Sequence, residues 1–147
     1  MDRSLDLIAA DFESLTPEDF DGSDPAASGW QKLDMLCDEV RDLNDPVAAA
    51  PTLLRTMERL DSVELGTPGP LVHTLESRRG TYERFLVESV RRKPTTLTVW
   101  MINRILNAAP PDAESWLELL RTAADHTEAS ETTKAEAAEF LQYQEKR

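Results

Sequence analysis

The side chains best suited to chemistry are His73, His126 and Cys37, and their spacing brings no two of them into a known motif. There is no HExxH and no pair of cysteines, so a zinc site is not expected. His73 and Glu76 are three residues apart on a short helical stretch. With Arg104 they make the only acid–base set worth weighing, and a surface hydrogen bond accounts for the pair more simply. Cys37 lies between apolar neighbours at helical spacing, next to Asp38 and Glu39. That setting suits a small buried hydrophobe better than a reactive thiolate. Asp19, Asp21 and Asp24 suggest a calcium loop, but an EF-hand needs glycine at its sixth position and glutamate at its twelfth. Counted from Asp19, Gly22 is fourth and Trp30 twelfth, so the stretch is expected to be a solvated loop. The glycines form no phosphate loop, and no serine sits in a GxSxG turn. No catalytic residue, metal or cofactor is assigned.

One polar cluster has definite geometry. Trp100, Asn103, Arg104 and Asn107 share an arc of a helix over residues 96–107, with Arg104 one turn from Trp100 and in reach for stacking. Asn103 and Asn107 are poor helix formers. They are expected to tie the turn at residues 68–70 to this helix and to support the exit at residues 108–111. The alternative is a recognition edge on a concave face.

The elements that must position these groups are helical throughout. Leu5, Ile8, Ala9 and Phe12 recur at helical spacing in residues 3–15. Trp30, Leu33, Cys37 and Val40 do so in residues 28–43. A third helix is expected to start near Pro51 and to carry Leu53, Leu54, Met57 and Leu60. A short fourth covers residues 71–78. A fifth is capped by Thr81 and ends before Pro94. The sixth spans residues 96–107, and its apolar side chains cover about 200° of arc, so it should be largely surrounded. A seventh starts at Pro111. An eighth starts near Ser130, with a fraying QYQEKR end. Short links make successive helices antiparallel neighbours. The expected fold is therefore all-α: one domain over residues 1–147, about eight helices in antiparallel hairpins, either a HEAT-like short α-solenoid or an irregular helical bundle.

Charge narrows the partners. The formal net charge is −12, which disfavours nucleic acid and anionic membrane and favours a basic protein. Residues 1–66 carry 16 acids and 5 bases, and residues 67–107 carry 3 acids and 7 bases. Asp34, Asp38, Asp42 and Asp45 form a stripe opposite the apolar face of the second helix, and Glu58 and Asp61 are expected to extend it. These six are the candidate partner-binding residues; a solvated face is the plainer reading of the same pattern. No window is apolar enough to span a membrane, MDRSLDLIAADFESL is not a secretory signal, and a single cysteine fits a reducing compartment, so a cytoplasmic location is expected.

LGTPGPLVHTLES, YERFLVESVRRKPT and TVWMINRILN, within residues 65–107, resemble a group of small bacterial all-helical proteins, the immunity proteins of polymorphic or contact-dependent toxin systems. Several of these have HEAT-like folds. The resemblance implies a cytoplasmic, non-catalytic protein that binds and neutralises one cognate toxin domain by occlusion. Such toxins are often basic nucleases, which an acidic binder suits. The alternatives are a general HEAT-like adaptor or regulatory subunit, and an enzyme with an unrecognised site.

Overall fold

The computed structural model describes residues 3–78 and 80–147. Among them there are eight α-helices and no strand: α1 (Leu5–Ser14), α2 (Gly29–Arg41), α3 (Ala50–Arg59), α4 (Gly69–Glu76), α5 (Glu83–Arg92), α6 (Thr96–Asn107), α7 (Ala113–Ala124) and α8 (Glu131–Glu145). Short 3-10 turns occupy Pro17–Phe20 and Pro46–Ala49. Local chemistry sets several starts. The hydroxyls of Ser4, Thr95 and Ser130 accept the backbone N–H three residues on, each satisfying a donor that a helix start leaves open. Thr95 and Thr98 bond reciprocally, which fixes the start of α6. Pro51 sits in the first turn of α3, where its missing N–H costs nothing, so the helix starts there as expected. The fifth helix begins at Glu83, one residue later than a Thr81 cap implies. The Glu83 carboxylate reaches back to accept the N–H of Gly80 at 2.9 Å, while the Thr81 hydroxyl donates to the Arg78 carbonyl.

The contacts divide the chain into two compact units, Met1–Phe85 and Leu86–Arg147. In the first, α1 packs on α2 and α3 on α4, while α1 also lies on α3 and α2 on α4. That is the pairing of two stacked helical hairpins. Its core includes Ile8, Phe12, Leu33, Leu53, Leu54, Met57 and Leu71, all essentially inaccessible to water. In the second unit α6, α7 and α8 pack against one another, around Met101, Ile102, Leu120 and Ala123.

α4 begins two residues earlier than expected and α7 two later, and two segments differ in kind. The stretch after α1 is not wholly a solvated loop. Asp19 accepts the Thr16 N–H at 2.9 Å, the turn at Pro17–Phe20 forms, and Phe20 is buried. Phe20 meets Trp30 edge to face, with ring centroids 5.3 Å apart. Gly29 allows this approach, since a Cβ there would lie 2.6 Å from the Asp19 carbonyl oxygen. The chain's end does not fray either. α8 continues to Glu145, and Gln144 and Arg147 reach back to α6.

Candidate functional site

Four of the six predicted partner-binding acids stand on an exposed surface. Asp34 and Asp38 lie on α2, Asp42 caps its end and Asp45 follows; all are exposed. The helix places them opposite Leu33, Cys37 and Val40, which are buried. Asp38 is paired with Arg41 on its own helix. Arg41 also donates to the Thr74 hydroxyl at 2.8 Å, so α4 holds the guanidinium in place.

The other two acids do not extend this surface as expected. Glu58 is only 6% exposed, and Asp61 is half-buried. Glu58 follows Leu54 by four residues, so it falls on the inward stripe of α3. Its carboxylate lies 4.0 Å from Arg55. A buried carboxylate satisfied within its own fold is unsuited to holding a partner.

Cys37 is fully buried, and that burial pushes its thiol up to about 11, away from thiolate chemistry. His73 is exposed on α4. His126 is held at both nitrogens: Nδ1 accepts the Glu128 N–H at 3.0 Å, which leaves the proton on Nε2 to be donated to the Arg91 carbonyl at 2.7 Å. Among the described residues, no group of three or more His, Cys, Asp or Glu side chains is arranged to hold a metal ion.

The Trp100 cluster is brought together, with a different purpose for its amides. The Arg104 guanidinium lies 5.4 Å from the Trp100 ring centroid, as the spacing predicts. The Asn103 and Asn107 side-chain oxygens are engaged within their own unit, by the end of α8. Both accept from the Gln144 amide, at 2.7 and 2.8 Å, and Asn107 also accepts from Arg147 at 3.0 Å. These amides secure the last turn of α8 to α6. Gln144→Leu should therefore destabilise the protein by about 0.5–1 kcal/mol, since it leaves the partly covered Asn103 oxygen without its partner, while the exposed Asn107 keeps Arg147. A urea titration followed by Trp116 fluorescence would check this; an unchanged midpoint would mean that the clasp adds nothing.

An interaction that sequence reading missed joins α1 to α2. Arg3 forms a fork with Glu39, Nε to Oε2 at 2.8 Å and Nη2 to Oε1 at 2.7 Å, and its remaining nitrogen pairs with Asp11. No local signal exposes it, because Arg3 and Glu39 stand 36 residues apart. The fork holds Glu39 below its ordinary value of 4.5. A carboxylate depressed in the folded state contributes stability that is present above that value and is lost as pH falls through the lower one. Arg3→Gln should thus be less stable than wild type at pH 7, with the gap closing as the pH falls below 4.5. Thermal midpoints across that range test this; a gap that stays constant would rule the linkage out.

No helix among the described residues is long and apolar enough to cross a membrane. Set against known protein families, curated proteins and solved structures, the chain matches none of them.

Proposed function

We propose that this is a non-catalytic binding protein of the immunity type, which captures a basic cognate toxin domain in the cytoplasm and neutralises it by occlusion. The observation that carries the reading is the row of exposed carboxylates from Asp34 to Asp45, mounted on a helix whose opposite face is locked into the core. A rigid acidic row steers a basic partner and limits the orientations in which it docks. The uneven charge supports the same reading, because residues 1–66 carry a net charge of −11. The resemblance of residues 65–107 to toxin-immunity proteins supplies the class of partner.

A secreted toxin gene immediately upstream would identify the partner. Co-expression of this chain with that toxin domain is expected to restore growth, and the two proteins should copurify. Continued toxicity, with no complex in a pull-down, would sink the proposal.

A further inference from the structure

The reading above leaves unassigned a groove of about 300 Å³ between α1 and α2. One wall carries Arg3, Asp11 and Ser14 and the other Lys32, Met35 and Glu39, with Leu15 and Leu36 at its floor. The two helices run antiparallel, since Arg3, two residues before α1, reaches Glu39 near the end of α2. Two large apolar side chains on these helices lie open to water. Met35 is 65% exposed, and Leu7, one turn from both Arg3 and Asp11, is 57% exposed. Neither contributes to the core that Ile8, Phe12 and Leu33 form. The polar groups in the groove are largely spent on each other, because Arg3 binds both Glu39 and Asp11.

The charge around the groove indicates what covers it. Asp38 and Asp42 follow Met35 by one and two turns, and Asp6 and Glu13 share one side of α1 next to Leu7; all four are exposed, against one exposed lysine in the wall, Lys32. A second copy of this chain would bring like charge against like, which costs binding energy. We infer that the α1–α2 groove is the docking site for a basic amphipathic helix of the partner, with apolar side chains seated against Met35 and Leu7 and flanking lysines or arginines meeting Asp38, Asp42, Asp6 and Glu13. A straight channel between two helices accepts a third by anchors one turn apart. The apolar contacts hold the complex, and the acids select the sign of the partner. This inference rests on the acidic-surface reading and adds the apolar anchor to it.

The test uses two synthetic helical peptides of equal length, with leucines along one face. One carries lysine on both flanks of that face and the other glutamate. The lysine peptide is expected to bind saturably and to shift the NMR signals of the Met35 and Leu7 methyl groups. The glutamate peptide should bind at least about tenfold more weakly. Met35→Lys, a change at an exposed position that leaves the circular dichroism spectrum intact, should weaken the lysine peptide by about tenfold or more. If the lysine peptide moves only the backbone signals of Asp34 and Asp38, and Met35→Lys changes nothing, the groove is not the site while the acidic-surface reading survives. Absence of saturable binding also overturns the groove, and toxin co-expression then judges the wider reading separately. Self-association in sedimentation that Met35→Lys abolishes would assign the face to a second copy and overturn the inference as well.

Discussion

Replacing Asp34, Asp38 and Asp42 together with lysine is expected to slow capture of a basic toxin domain by about ten- to a hundredfold at low salt. The three side chains are exposed on α2 and at its C-terminal cap, so their reversal changes the local charge by six units without entering the core. Of the three, Asp38 alone is joined to a basic side chain, Arg41, and a surface pair of this kind is worth little, about 0–1 kcal/mol. The variant should therefore keep its helical spectrum. The diagnostic result lies in the salt dependence. Salt screens attraction in the wild type and should slow association; in the variant, whose first 66 residues keep a net charge of −5 (−11 plus six), the attraction is weaker and the slope should be shallower. Stopped-flow mixing over a range of ionic strength reads both effects. Equal rates and equal slopes for the two proteins would remove this row from the interface.

Phe12→Ala is expected to cost about 3–5 kcal/mol, a large part of the roughly 5–15 kcal/mol that holds a typical domain together. Phe12 is completely inaccessible and is the foremost of the large buried side chains among the described residues. Its loss removes an apolar ring and leaves a cavity that the surrounding helices can only partly fill. The site is braced from outside as well, because Arg59 donates to the carbonyls of Phe12 and Leu15 at 2.7 and 2.9 Å and so satisfies the open end of α1. That brace limits how far α1 can slump into the cavity. Trp30 lies in the first unit and the other two tryptophans in the second. Its emission in a Trp100→Phe, Trp116→Phe background would report unfolding of the first unit by urea. Leu7→Ala, on the same helix but exposed, should change stability by no more than about 0.5 kcal/mol. Equal losses from the two variants would contradict the burial that separates them.

The helices themselves were legible because their signals are local. Thr95 caps α6 and residues 108–111 end it, so both bounds of that helix follow from neighbours a few positions away. The apolar spacing in α1, α2 and α3 likewise identifies Ile8, Phe12, Leu33, Val40 and Met57 as core. Cys37 behaves as its apolar company predicts. The turn at Pro17–Phe20 was masked by its polar composition, although Thr16 and Asp19 stand at capping-box spacing. Glu58 was misjudged by residue type: its charge suggested surface, while its position four residues after Leu54 pointed inward. The partners of Asn103 and Asn107 could not be read locally, since Gln144 lies 41 and 37 residues away. The Arg3–Glu39 fork spans 36 residues and escaped for the same reason.

The division of labour across α1 and α2 bears on how such a protein can evolve. Ile8, Phe12, Leu33 and Cys37 face the core, while Leu7, Met35, Asp34 and Asp38 face water on the same two helices. Outward positions can therefore change in size and sign with little effect on folding. Under the proposed function, a lineage pressed by a changing partner can vary its outward surface one residue at a time and keep a folded intermediate at every step. Diversity among descendants would then concentrate at the outward positions and leave the inward ones nearly fixed.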